Sequence, residues 1–198
     1  MTLDEKHEII KSVFSNSKGT ISKNTIEQIL KISNAVRFNK NEMILNMFEE
    51  QNVIYLIISG IVRSYYLDKN GNDVTKSFIK ENEFCIGESL FTNDKSPQGF
   101  EALENILCLK FKAFELKDLI LQDEILTRTY IEYLEKYLIY KMEREWGFQM
   151  LNATERYIKF RNNYSEIDKR VNQSYIASYL GITPESLSRI RRTVADKN

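Results

Sequence analysis

The feature that most constrains the fold is the spacing of small, apolar and capping residues between positions 173 and 192. Ala177 offers a small side chain where two helices could cross, and Gly181 follows where a tight turn needs a positive φ angle. Thr183 and Pro184 then supply an N-cap and a first helical residue for a second helix. The apolar residues at the offsets that close the space between the helices are Ile176, Leu180, Ile182, Leu187 and Ile190. The pattern predicts a helix-turn-helix.

The second helix of this pattern has a polar face suited to nucleic acid. Its members are Glu185, Ser186, Ser188, Arg189 and Arg192. Arg189 can pair with guanine O6 and N7, and Glu185 can accept from a cytosine amino group. Ser188 suits a base edge or a phosphate. We therefore expect this helix to read the major groove of DNA.

Other residues of the pattern are expected to position the protein on the DNA backbone. Tyr175, Arg191 and Arg192 are the candidates for phosphate contacts. The remaining residues of the expected DNA-contact set are Gln173, Ser174 and Thr183. The alternative is an ordinary pair of helices joined by the same glycine turn, but the arginines disfavour it because DNA binding depends heavily on phosphate neutralisation.

The formal net charge of the 198-residue chain is zero, but the charge is unevenly distributed. Residues 154–198 contain nine Lys or Arg and five Asp or Glu, a net charge of +4, so residues 1–153 carry −4. A basic end on an acidic body favours a polyanionic partner, although clusters of charge are more often simply solvated surface.

Cysteine and histidine are scarce. Cys85 and Cys108 lie 23 positions apart, and His7 is the one histidine. So few cysteine and histidine residues disfavour an iron–sulfur cluster, a haem group or a metal site. A low cysteine content also suits the reducing cytoplasm. No nucleophile–base pair or glycine-rich phosphate loop indicates an enzyme. The apolar runs are too short to span a membrane, and residues 1–10 do not look like a secretory signal.

Residues 32–112 are expected to be rich in β-structure. Runs of β-branched and aromatic residues at 53–58, 61–67, 74–79 and 106–111 are separated by turn signals that include an Asn-Gly step. Several short strands spaced by turns predict a sandwich or a barrel-like roll. Residues 3–31 are expected to be helical and to pack against it.

A single long helix is predicted from residue 112 or 116 to residue 151. Its two apolar stripes are Leu126, Tyr130, Tyr133, Tyr137 and Tyr140, and Ile131, Leu134, Leu138 and Met142. Two apolar faces require two burial partners. One is expected to be the β-rich body, and the other the same helix of a second copy. The alternative is burial on both sides within one chain.

A β-roll, a long helix and a helix-turn-helix in this order resemble the CRP/FNR family of regulators over nearly the whole chain. Residues 56–63 resemble the family's strand–Gly–strand step, and residues 68–71 its hairpin. Gly87-Glu88-Ser89 resembles its pocket signature, and residues 177–189 its recognition helix. The resemblance implies an α+β fold with a cyclic-nucleotide-binding-type roll, also called a double-stranded β-helix. It also implies homodimers on palindromic DNA, with RNA polymerase as a further candidate partner.

The candidate effector pocket departs from the family pattern. Its residues are Gly87, Glu88, Ser89, Lys95 and Ser96. Cyclic-nucleotide binders of the family clamp the phosphate with an Arg and a small hydroxyl residue, about ten residues after the Gly-Glu pair. Residues 93–100 contain no Arg, and burying a phosphate without such a partner is costly. Cyclic AMP is therefore not the expected effector, the effector is unidentified, and Gly-Glu-Ser is interpreted as a structural turn.

The expected protein is a DNA-binding transcription regulator that dimerises through residues 116–150 and reads DNA with residues 183–192. The expected domains are a sensor at 1–115, a dimerisation helix at 116–151 and a helix-turn-helix domain at 152–198. The alternative function is a ligand-sensing roll whose helix-turn-helix contacts protein rather than DNA. The family often adds a winged hairpin after the recognition helix; with only residues 193–198 following here, any wing is expected to precede the motif or to be absent.

Overall fold

Two units, each discontinuous in sequence, make up the computed structural model, which describes residues 2–15, 19–92 and 94–195. The first unit comprises Met1–Val62 and Ile79–Tyr137, and the second comprises Arg63–Phe78 and Leu138–Asn198. Strands dominate the middle of the chain and helices its two ends, which confirms the predicted α+β class.

The first unit holds most of the β-structure. Its helices are α1 (Leu3–Phe14), α2 (Lys23–Lys31), α3 (Ser89–Thr92) and α4 (Ala113–Gln122). Its strands are β1 (Ser33–Phe38), β2 (Met43–Leu45), β3 (Val53–Ser59), β6 (Phe84–Cys85), β7 (Gly99–Ala102) and β8 (Ile106–Lys112). One antiparallel sheet has the order β1-β8-β3-β6, and β2 pairs antiparallel with β7. The expected β-rich roll over residues 32–112 is confirmed.

Strand β3 shows why its sequence is apolar without alternation. Tyr55 and Ile57 face one buried cluster, which includes both cysteines. Leu56 faces the opposite way, into a second cluster that also contains Phe14 of α1 and Leu126. A strand buried on both faces needs apolar residues at every position. The N-terminal helices therefore pack against the roll, as expected.

The long helix is interrupted, which corrects the prediction of one continuous helix from residue 112 or 116. Helix α4 ends at Gln122, and α5 (Glu124–Met150) begins after Asp123, whose backbone is extended. The Asp123 carboxylate accepts from the Leu126 backbone N–H at 3.0 Å and from the Thr25 hydroxyl at 2.7 Å. An aspartate that satisfies a free N–H of the following turn is a helix N-cap, so the chain restarts its helix there.

The second unit combines a β-hairpin with the C-terminal helices. The hairpin consists of β4 (Val62–Leu67) and β5 (Asp73–Ile79); the helices are the last part of α5, then α6 (Ala153–Asn163), α7 (Ser165–Arg170), α8 (Gln173–Leu180) and α9 (Pro184–Ala195). Asp68 closes the hairpin turn by accepting from the backbone N–H groups of Asn70 and Asn72, bonds that lower the pKa of its carboxyl. The predicted hairpin is confirmed, and Asn152 is the N-cap of α6.

Candidate nucleic-acid interface

The turn between α8 and α9 has the geometry that the sequence predicted. Gly181 ends α8 in the left-handed region, with φ 68°. Its N–H and that of Ile182 bond to the last carbonyls of α8, at Ser178 and Ala177, which satisfies the helix end. A Cβ on Gly181 would lie 2.9 Å from Phe148 Cε1. Both the backbone angle and the close neighbour therefore require glycine here.

Helix α9 begins with the predicted cap, and of its two predicted inner residues Leu187 is buried and Ile190 is half-buried. The Thr183 hydroxyl accepts from the Ser186 backbone N–H at 3.2 Å. Leu187 and Val194 of α9 are buried, as are Ile176 and Ala177 of α8. These apolar contacts fix the angle between the helices and leave the opposite side of α9 at the surface.

The outward side of α9 carries the residues expected to read bases. Glu185, Ser188, Arg189 and Arg192 are exposed, and Ser186 is half-buried. Arg189 donates to the Ser186 hydroxyl at 3.3 Å. Backbone N–H donation at the helix start, then the Thr183 hydroxyl and Arg189, lower the pKa of Glu185. An anionic acceptor and a cationic donor thus lie one turn apart on the same face.

The residues expected to position the DNA backbone separate into two groups. Gln173 and Ser174 are exposed at the start of α8, and Thr183 and Arg192 are exposed on or beside α9. Tyr175 and Arg191 are held inside the second unit instead. Arg191 donates to the Asp168 carboxylate at 2.5 Å and lies over the Tyr157 ring.

Tyr175 is held by a residue that sequence reasoning did not single out. Arg63 of the hairpin is 2% exposed and places its guanidinium 3.9 Å from the centre of the Tyr175 ring. Asp73 accepts from the same guanidinium at 2.8 Å. In the same region the Thr75 backbone N–H donates to the Ser178 hydroxyl at 2.9 Å. The hairpin thereby fixes the first helix of the helix-turn-helix.

Two further arginines, also not singled out, hold the other end of α8. Arg144 of α5 donates to the Tyr179 carbonyl at 3.0 Å, and Arg156 of α6 donates to the Leu180 carbonyl at 3.2 Å. Cations at a helix C-terminus satisfy its free carbonyls and oppose its dipole. The sequence of α8 could not have indicated these partners, because Arg144 and Arg156 belong to other helices and meet its end only in the folded chain.

In the first unit, three of the five candidate pocket residues lie at the start of the short helix α3, and the other two follow it in the chain. Gly87 and Glu88 precede α3, which begins at Ser89. Ser89 bonds through its hydroxyl to the Gln51 backbone N–H at 2.9 Å. Ser96 is buried, and its backbone N–H donates to the Glu49 carbonyl. Lys95 is exposed and does not replace the missing Arg within the pocket.

Along α5, apolar side chains of the predicted second stripe are at the surface. Ile131, Leu134, Leu138 and Met142 are 48%, 39%, 59% and 61% exposed. They recur at spacings of three and four residues, so they form one face of the helix. This face is a candidate interface with another protein surface.

A membrane-spanning helix and a metal-binding cluster are both absent from the described ranges. Within them, every helix is too short or too polar to cross a bilayer. No group of three or more His, Cys, Asp or Glu side chains in the described part of the chain is placed to hold a metal ion.

Comparison with known proteins identifies the fold. A family model described as "Cyclic nucleotide-binding domain" matches residues 35–123. The anaerobic regulatory protein of Haemophilus influenzae is 24% identical over 162 residues, a match that covers 76% of this chain. The chain spans 63% of the length of that relative.

Solved structures indicate the same fold. FixK2 from Bradyrhizobium japonicum has a TM-score of 0.70 at 20% identity, covering 84% of this chain and 86% of that one. A protein described as a CRP/FNR-family transcriptional regulator, from Eubacterium rectale, has a TM-score of 0.67 at 16% identity, covering 89% and 85%. The resemblance indicated by the sequence motifs is confirmed at the level of the fold: residues 35–123 match the cyclic nucleotide-binding domain model, and the chain has the fold of FixK2 and of the CRP/FNR-family protein.

Proposed function

We propose that this chain is a DNA-binding transcription regulator of the CRP/FNR type and not an enzyme. The observation that carries the proposal is the outward face of α9. Behind a capped N-terminus, Glu185, Ser188 and Arg189 are exposed on successive positions of one helix face. Side chains of these types, at the N-terminal part of a second helix, are suited to contact base edges in the major groove.

The proposed assembly is a homodimer that joins through the apolar stripe of α5, within residues 116–150. Two copies would place their α9 helices in successive major grooves, about 34 Å apart, on a palindromic site. Residues 1–115 would form the sensor domain, residues 116–151 the dimerisation helix and residues 152–198 the helix-turn-helix DNA-binding domain. On the resemblance alone, RNA polymerase is proposed as a further partner. The described cysteines are free and buried, which suits action in a reducing cytoplasm.

The test is a binding selection on random duplex DNA with the purified full chain, with and without cyclic AMP. We expect enrichment of a palindrome in both arms. Arg189→Ala serves as the matched control, because it should change the selected sequence while the protein stays folded. Enrichment only with cyclic AMP would overturn the expectation that cyclic AMP is not the effector. A third outcome is that the wild-type chain enriches no sequence and retains DNA to an extent that does not depend on salt. That result would favour the alternative in which the helix-turn-helix contacts protein.

A further inference from the structure

A side chain lies directly against the glycine of Gly87-Glu88-Ser89, the segment that resembles the family's pocket signature. A Cβ added to Gly87 would lie 1.1 Å from Gln51 Oε1 and 2.3 Å from its carboxamide carbon. The backbone of Gly87 is not in the left-handed region, so the absence of a side chain there serves proximity and not an unusual φ angle. The Gln51 carboxamide fills the space directly over Gly87.

Gln51 is held in that position by the candidate pocket residues themselves. Its backbone N–H donates to the Ser89 hydroxyl, which in turn donates to the Gln51 carbonyl at 3.4 Å. The backbone around Ser96 pairs with the chain at Phe48 and Glu49, immediately before Gln51. The residue is 5% exposed. Ser89 and the backbone at Ser96, both in the candidate effector pocket, therefore enclose Gln51 of the chain itself.

The chemistry around the carboxamide does not fit a cyclic phosphate. Its Nε2 makes long bonds to the Asn46 and Gln98 carbonyls, at 3.4 and 3.5 Å. Its Oε1, turned toward Gly87, has no hydrogen-bond partner among the described residues. A buried phosphate needs charged or N–H donors, ideally a bidentate arginine. Here the carboxamide lies against the carbonyl oxygens of Asn46 and Gln98, which would repel a phosphate, and Lys95 is at the surface.

We infer that the Gln51 side chain is the resident occupant of the effector position in this β-roll, and that the roll is closed to cyclic nucleotides. The inference goes beyond the proposed function and does not rest on it, because it concerns the first unit alone. Its test uses no DNA, so its failure and a failure to bind DNA are distinguishable.

The first experiment is a double-mutant cycle read by thermal unfolding of the full chain. Gly87→Ala should lower Tm by several degrees, since its methyl group would collide with the carboxamide, and roughly 2–4 °C corresponds to each kcal/mol in a chain of this size. Gln51→Ala should also lower Tm, because it leaves a buried gap. In the double variant the new methyl group enters the vacated space, so Tm should be higher than in Gly87→Ala alone. If Gly87→Ala is insoluble, the double variant should be recovered in soluble form.

Additive losses in the cycle would mean that Gln51 does not occupy the space over Gly87, and would overturn the inference. The second experiment titrates the wild-type chain with cyclic AMP and cyclic GMP by calorimetry and by Tm. We expect no heat and no shift. Ligand at one hundred times its Kd would raise Tm by roughly 5–10 °C, so such a rise would show that the roll opens to cyclic nucleotides and would equally overturn the inference.

Discussion

At the scale of single residues, the arginines of α9 have different surroundings although they are close in sequence. Arg189 and Arg192 are exposed, whereas Arg191 is tied to Asp168 and lies over Tyr157. The Arg191 side chain is 22% exposed, its Nη2 already donates to Asp168 and its Nε is buried, so it is poorly placed to reach a phosphate. We therefore assign base reading to Arg189, phosphate contact to Arg192 and a bracing role to Arg191.

Replacing Arg189 or Arg192 by alanine removes the same charge from the same helix. Comparing the two variants therefore separates recognition of bases from general electrostatic attraction to the DNA backbone. Arg192→Ala should reduce the magnitude of the slope of log K against log salt by about 0.9, because it removes the proposed phosphate contact. Arg189→Ala should cost about 1–3 kcal/mol on the preferred site and relax base preference at one position of each half-site. Arg192→Ala should weaken all sequences alike. Competition binding on single-base variants of the selected site measures both; an unchanged preference in Arg189→Ala would refute its role as a base reader.

The two thiols are the second case in which surroundings decide chemistry. Burial raises the pKa of the Cys108 thiol to about 12. Burial, followed by the nearby Cys108, raises the pKa of the Cys85 thiol well above its usual value. Only the thiolate reacts with alkylating agents. Both residues should therefore be inert while the roll is folded.

We expect iodoacetamide to label neither thiol of the native protein between pH 7 and 9.5, and to label both after denaturation. In the unfolded chain the thiols ionise near pH 8.5, so the unfolded chain loses protons before the folded one and stability falls as pH rises above that value. Mass spectrometry after timed labelling provides the measurement. Native labelling that increases through pH 8.5 would show that one thiol is open to solvent.

At the scale of helices and strands, sequence patterns predicted what is decided locally. The helix-turn-helix was predictable because Gly181, Thr183 and Pro184 each impose a backbone geometry on their own. The strand at residues 53–59 was predictable from a short β-branched run. The break at Asp123 was missed because the apolar spacing continues across it, and the aspartate acts as a cap only together with the turn that follows.

The candidate site was predictable to the same extent and for the same reason. The exposed side of α9 follows from its periodicity. The partners of Tyr175 and Gln51 do not, because Arg63 and Gly87 are distant from them in sequence and meet them only in the folded chain. Periodicity indicates which face of an element is buried, but it does not identify the side chain that lies against it.

The exposed stripe of α5 leads to a prediction about assembly. Leu138→Glu places a charge in the centre of the stripe, where burial in a dimer would be costly, so the variant should be monomeric and should lose affinity for a palindromic site. Lys136→Glu is the control, since residue 136 is exposed and points about 200° away around the helix. Sedimentation velocity reports the mass of each. A monomeric wild-type chain, or a dimeric Leu138→Glu variant, would contradict the proposed interface.

At the scale of the whole molecule, the hairpin of residues 63–78 belongs by its contacts to the same unit as the helix-turn-helix. The connection rests on a buried cation between two tyrosine rings: Arg63 lies 4.6 Å from the Tyr65 ring centre and 3.9 Å from that of Tyr175. Phe78 extends the contact toward Phe160 and Tyr179. The helix that precedes the reading helix is therefore stabilised by residues from the middle of the chain.

Arg63→Met should loosen this unit and leave the first unit unchanged. Methionine keeps an apolar stem but removes the cation and the ion pair, and Asp73, being 44% exposed, is not left as a buried charge. We expect a loss of about 1–3 kcal/mol, with faster hydrogen exchange in α8 and α9. Arg37→Met, at an exposed position of β1, is the control. Faster exchange spread equally over β3 and β8 would show that Arg63 supports the whole chain instead.

The shared unit also determines how the protein could be dissected. A cut near residue 115 or 151 would follow the proposed boundaries between the sensor and the DNA-binding domain. Such a cut leaves Arg63 in one fragment and Tyr175 in the other. The N-terminal fragment would then expose a cation that normally lies between two aromatic rings, and the C-terminal fragment would lose the surface on which α8 rests. The C-terminal piece is not expected to keep its native structure, so a recombinant DNA-binding fragment would need the hairpin of residues 63–78 supplied in trans or by fusion.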